Sequence, residues 1–201
     1  MFADLLAEPG VTETTRLGSP FGFMAFHGGS LEVGTDLIAA AAADRSGASL
    51  YTVAQPADLN WHVPSKLVSP DASPALARFL DHVEVVVALH GFGRDGLFTS
   101  LLLGGRDRTL AAWLAGHLRP ALPHYEVVDD LDTIPAALRG LHPDHPVNLP
   151  PGGGVQLELP PRVRGLGPWW DDPTRAADRG SHTEALVDAL AAAARAWPVD
   201  R

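Results

Sequence analysis

Two apolar runs in this chain end in the same way. Phe21–Phe26 (FGFMAF) halts at His27-Gly28-Gly29, and Val83–Leu89 (VEVVVAL) halts at His90-Gly91. Short apolar runs bounded by glycine predict buried strands that enter tight loops. The near-continuous apolar content of 83–89 predicts a central strand covered on both faces. Ala48–Val53, Phe98–Leu103, Tyr125–Val128 and Val155–Leu159 read as further strands. Helices are predicted between them over Asp36–Ala43, Pro74–Leu80, Arg108–Leu118, Thr133–Leu138 and Thr183–Ala196. Ser73 is the expected cap of the second, and Thr35 or Ser30 of the first. Strands separated by helices predict an α/β fold on a mostly parallel or mixed sheet. No repeat or linker interrupts the pattern, so residues 1–201 read as one domain.

Composition narrows the chemistry. With 46% hydrophobic and 19% charged residues the chain can bury a core, and wholesale disorder is excluded. It has no cysteine, which removes disulfides, thiolate nucleophiles, iron–sulfur clusters and thiolate zinc sites. A metal would have to be held by His, Asp or Glu. Fifteen basic against 24 acidic residues give a net charge of −9, which argues against nucleic acid as a partner. Asp4 and Glu8 break up the N-terminal stretch, and no apolar run is long enough to span a membrane. The expectation is a cytoplasmic protein with no membrane partner. Phosphate loops and the G-x-S-x-G elbow are missing.

Ligands of open α/β sheets bind outside the carboxyl ends of the strands. His27 and His90 fall there, and Glu32 follows His27 across two glycines that let the chain fold back. Two imidazoles and a carboxylate, with the fourth position left to water, suit a catalytic zinc ion. The alternative for each is an ordinary loop residue. Glu158 sits in the apolar strand 155–159. It is either a general base for water or part of the solvated face of an edge strand shared with Gln156. Lys66, Arg94, Arg106, Arg108, Arg162 and Arg164 lie in loops or element ends between Pro64 and Gly165, where a cation could position a carboxylate or support an oxyanion. Surface ion pairing is the alternative. His62 stands near these elements. Trp169 and Trp170 line a cleft or cap the core. His117, His124, His142, His145 and His182 form no constellation that the sequence defines.

The segments FHGGSLEVGT (26–35), LNWHVPS (59–65), VVVALHG (85–91), GGRD (104–107) and GGVQLEL (153–159) together resemble the poly-gamma-glutamate hydrolase family. Some of its members are described as phage-related replication proteins. The resemblance spans about Gly22–Arg164. It implies a compact relative of the zinc carboxypeptidases: a three-layer α/β fold with a mixed, mostly parallel sheet flanked by helices. By the same resemblance His27, Glu32 and His90 are zinc ligands, and Glu158 is the general base. Arg94 and Arg106 are the candidates for oxyanion support. The implied reaction is zinc-dependent hydrolysis of amide bonds in a gamma-glutamyl polymer or small gamma-linked peptide. A peptidoglycan fragment as substrate, or a non-catalytic binding protein on the same fold, are the alternatives. One departure stands out. Many relatives carry an Asn-Arg pair before the last strand, where this chain has Asn148-Leu149, with Arg162 or Lys66 as possible replacements.

Overall fold

The strand that ends in His90-Gly91 lies in the middle of the sheet. The computed structural model describes residues 1–166 and 178–198. In chain order its elements are α1 (Phe2–Leu6), β1 (Thr12–Arg16), β2 (Ser19–Gly29), α2 (Thr35–Ser46), β3 (Ala48–Gln55), α3 (Pro74–His82), β4 (Val85–Gly91), β5 (Ser100–Leu103), α4 (Arg108–Ala121), β6 (Glu126–Val128), β7 (Gly154–Leu159) and α5 (Asp178–Ala196). The sheet has seven strands in the order β1-β3-β2-β4-β7-β5-β6. β3, β2, β4 and β7 run parallel. β5 is antiparallel to β7, and β6 is parallel to β5. β1 closes the other edge antiparallel to β3. The fold is therefore α/β with a mixed, mostly parallel sheet flanked by helices.

Alternation along the strands divides the core into two layers. Phe21, Phe23, Ala25, Val85, Val87, Leu89, Val155, Leu157 and Leu159 face α2, α4 and α5. Met24, Phe26, Val86 and Ala88 face α1, α3 and the buried loop residues Val63, Val68 and Val147. Because β2 and β4 are covered on both sides, their segments Phe21–Phe26 and Val85–Leu89 are apolar throughout.

Local signals set several element ends. Ser73 Oγ accepts the Leu76 N–H at 2.9 Å, with Pro74 opening α3. Asp107 Oδ1 accepts the Leu110 N–H at 2.9 Å and starts α4. Both are N-caps that satisfy otherwise unpaired helix donors. α2 is entered differently. Gly34 precedes it in the left-handed region, no side chain caps it, and Thr35 Oγ1 instead donates to the Glu32 carbonyl at 2.8 Å.

The structure departs from the sequence expectations in three further places. The helix expected over 133–138 is a single 3₁₀ turn, Ala136–Leu138. Pro135 lacks an N–H and disfavours helical geometry at Ile134. The N-terminal segment, which gave no periodic signal, forms α1 and the edge strand β1. TETTR is polar because most of that strand is exposed. The strand beginning expected at Phe98 starts at Ser100. Trp169 and Trp170 lie outside the described residues. Among the described residues no helix is long and apolar enough to cross a membrane.

Leu157 is fully buried between β4 and β5 against the α2–α4–α5 layer. Leu157→Ala should destabilise the chain by about 2–5 kcal/mol. A urea titration should show a lower midpoint with an unchanged slope. A cost within roughly 0.5 kcal/mol, as at a surface position, would contradict this placement.

Candidate metal centre

Strict alternation would turn His27 towards the same layer as Phe23 and Ala25, under α2. A bulge prevents this. Ala25 pairs with Thr52 and Gly28 with Ala54, so β2 carries one residue more than β3 over that stretch. The extra residue re-aims the side chain. His27 then stands on the side of Phe26, and its Nε2 lies 2.8 Å from the Val63 carbonyl oxygen. The turn that follows needs glycine. Gly29 has φ +70°, and a Cβ there would lie 2.1 Å from the Gln55 carbonyl oxygen. The chain closes back through the Glu32 N–H, which donates to the His27 carbonyl at 2.9 Å.

Glu32 thereby reaches the ends of both β2 and β4. Its Oε1 lies 2.9 Å from His27 Nδ1, and its Oε2 lies 3.2 Å from His90 Nδ1. Oε2 also accepts the Gly91 N–H at 2.9 Å. One donor atom each from His27, Glu32 and His90 lies within 4.8 Å of the others. Phe26 forms the floor, its ring edge-on to His27 and His90 with centroids 4.7 and 4.8 Å away.

The donor set fits a divalent cation. Val63's carbonyl can only accept, so His27 Nε2 carries a proton and Nδ1 is the atom that faces Glu32, where it shares a proton with the carboxylate or, with an ion bound, would turn its lone pair to the metal. This outer hydrogen bond fixes the tautomer and ring orientation that a metal-ligating histidine needs. Burial opposes the Glu32 charge, but His90 and the hydrogen bonds from His27 and His90 outweigh it and hold the carboxyl well below the usual range. Burial likewise opposes protonation of His90, yet Glu32 raises its pKa. The carboxylate thus attracts a positive charge, whether a proton on His90 or a metal ion.

Glu158 lies directly opposite His90 in the parallel pairing of β4 with β7. β7 is an interior strand, and Glu158 is only 4% exposed, so it belongs to no solvated edge face. Gln156 is buried beside it and donates from Nε2 to Glu158 Oε1 at 2.7 Å and to the Leu138 carbonyl at 3.1 Å. Burial pushes the Glu158 carboxyl up to about 7, with the Glu32 charge adding to the effect and His90 opposing it.

These groups line a cavity of about 590 Å³ beyond the carboxyl ends of β2, β4 and β7. His62 is at its mouth, 4.8 Å from the His27 ring centroid. Neither Arg94 nor Arg106 lines it. Arg94 is exposed in the turn after β4, and Arg106 is exposed before α4, where its N–H donates to Asn148 Oδ1 at 3.1 Å. Nearness in sequence to the strand ends did not bring their side chains to the cavity. Arg108 bonds the carbonyls of Leu103 and Gly104, and Arg162 lies over the Tyr125 ring. Arg164 sits behind the site, donating to the carbonyls of Leu159, Val33 and Phe92. Gly91 makes room for it, since a Cβ there would lie 2.7 Å from the guanidinium carbon. Leu149 borders a different hollow, beside Leu80 and Pro151.

Sequence reasoning left His145 without a role, yet it lines the cavity. Its Nδ1 accepts the Val147 N–H at 3.1 Å, so Nε2 carries the proton, and that buried atom has no hydrogen-bond partner. Burial and the neighbouring His90 lower its pKa to about 3. A loop rich in proline hid it. The only local signal was a histidine just before a 3₁₀ turn, a position it caps.

Comparison with known proteins agrees with this architecture. Among solved structures the chain is similar to a bacteriophage poly-gamma-glutamate hydrolase, at 22% identity and TM-score 0.69, covering 90% of this chain and 88% of that one. It is also similar to the zinc-free apo form of YNDL, at 24% identity and TM-score 0.68, covering 90% and 89%. These likenesses show a shared fold. A search of curated proteins finds no match. The model of the poly-gamma-glutamate hydrolase family matches residues 3–169. The chain, with its paired strand-end histidines and intervening glutamate, belongs to the poly-gamma-glutamate hydrolase family.

Proposed function

We propose that the chain is a zinc-dependent hydrolase of gamma-glutamyl amide bonds, acting on poly-gamma-glutamate or a related gamma-linked peptide. The observation that carries this reading is the convergence of His27, Glu32 and His90 with the buried Glu158 paired beside His90 on the neighbouring strand. His27 and His90 would hold zinc through Nδ1, and Glu32 through its carboxylate. Zinc held there supplies a Lewis acid for an amide carbonyl and for water. Glu158 takes the proton from the attacking water and delivers it to the leaving nitrogen. The C–O bond forms, the C–N bond breaks, and the products are a carboxylate and an amine. Gln156 holds the Glu158 carboxyl in place from below. Family membership supports the gamma-glutamyl substrate, and the size of the cavity suits a short segment of chain.

Purified protein, free of affinity tag and added metal, should contain about one zinc per chain by mass action at an open three-ligand site. His90→Ala, His27→Ala and Glu32→Ala should lose it. Zinc must displace the proton that Glu32 favours on His90. Affinity measured against a competing chelator should therefore fall as pH drops through the raised His90 pKa, by about tenfold per pH unit for each proton displaced. An affinity indifferent to pH between about 8 and about 5.5 would remove His90 from the ligand set.

Glu158→Gln should keep its zinc and lose turnover of poly-gamma-glutamate by roughly a hundred- to ten-thousand-fold. Loss of zinc in that variant would reassign Glu158 as a ligand. A substrate panel that includes an alpha-linked peptide and a peptidoglycan fragment would identify another amide as the substrate if the gamma-linked polymer is left intact. Protein that neither contains zinc nor takes it up would point to a non-catalytic binding role.

A further inference from the structure

Lys66 is the chain's only lysine; every other one of its 15 Lys and Arg residues is arginine. It stands on the 3₁₀ turn Ser65–Leu67, immediately after the segment whose Val63 carbonyl holds His27. No other Lys or Arg lines the site cavity among the described residues. Its ammonium group is exposed and has no ion-pair partner among them. The arginines nearest the cavity are committed elsewhere: Arg164 to the carbonyls of Val33 and Leu159, and Arg139 to that of Ile134.

The charge of the substrate gives this placement a purpose. A gamma-linked glutamyl chain keeps one free alpha-carboxylate per residue, and it must approach a protein of net charge −9 through a cavity walled by Glu32 and Glu158. A local cation is needed to offset that field. Lysine suits the task, since a compact charge on a flexible four-carbon stem can follow a carboxylate whose depth in the cavity varies. We propose that Lys66 binds a free alpha-carboxylate of the glutamyl substrate beside the scissile gamma-amide and so selects gamma-linked glutamyl chains over neutral amides. This inference rests on the hydrolase reading above.

Two readouts test it. The first compares kcat/KM for a gamma-glutamyl substrate bearing the free alpha-carboxylate with that for its alpha-carboxamide counterpart. The wild type should prefer the carboxylate. Lys66→Gln should shrink that preference by roughly threefold to tenfold, chiefly through KM, and Lys66→Arg should restore most of it. An equal preference in the wild type and Lys66→Gln overturns the proposal and leaves the hydrolase reading standing. The second readout is independent of turnover. An amine-acylating reagent can modify only Lys66 and the N-terminal amine, so mass spectrometry reports each separately. A gamma-linked glutamyl dipeptide bound to Glu158→Gln should slow acylation at Lys66 and leave the N-terminus as reactive as before. Its alpha-carboxamide analogue should protect less. If the wild type cleaves neither substrate, the hydrolase reading falls. Protection then decides Lys66 alone: selective protection sustains a carboxylate site, and its absence overturns one.

Discussion

One carboxylate ties the site together. Glu32 reaches the imidazoles at the ends of two parallel strands and also accepts the Gly91 N–H. A buried ionised carboxyl is costly unless it is paired and hydrogen-bonded. Here each contact comes from a residue that the adjoining backbone has brought into place. The bulge in β2 aims His27, the loop closure from Glu32 to the His27 carbonyl fixes the reach of the carboxylate, and β4 presents His90 and Gly91 in register. Removing Glu32 would leave the two imidazoles without the carboxylate that both of them contact.

The parallel core provides the framework for that unit. β2, β4 and β7 are neighbours whose carboxyl ends lie side by side, so residues far apart in sequence meet at one edge of the sheet. Arg164 fastens the same edge from behind. Its guanidinium joins the backbone after Glu32, the end of β7 and the segment after β4 through three carbonyls. A guanidinium has a rigid fork of donors and no acceptor, which suits it to joining several backbone carbonyls at one place.

Much of this was legible in the sequence, for identifiable reasons. The runs before His27 and His90 are apolar because both faces of their strands are covered, and the glycines after them mark where the backbone must turn. Those signals are local. What was not legible depends on neighbours. Nothing in VQLEL tells whether the strand is interior or at an edge, so Glu158 read equally well as a solvated residue or as a buried one. The answer lies in the strand order. Arg94 and Arg106 lie close in sequence to strand ends, but their side chains project from turns that leave the cavity. His145 belongs to an irregular loop that has no period to read. The helix expected at 133–138 yielded to the geometry of a single proline. The edge strand β1 was silent because exposure removes the alternation by which strands are recognised.

The two carboxyls of the cavity show how the environment sets identical chemistries apart. Glu32 is held ionised by two imidazoles and a backbone N–H. The Glu158 carboxyl is pushed up to about 7 by burial, with the Glu32 charge adding to the effect, and its neutral amide partner Gln156 only partly offsets this. Such a separation leaves Glu32 as a standing negative charge and Glu158 as the carboxyl that exchanges its proton near neutral pH. It depends on what lies among His27, Glu32 and His90. Positive charge there offsets the repulsion from Glu32 and favours the ionised form of Glu158. A cation there would raise the fraction of Glu158 that is ionised at neutral pH. The charge among His27, Glu32 and His90 and the protonation of Glu158 are thus linked through the charge on a single glutamate.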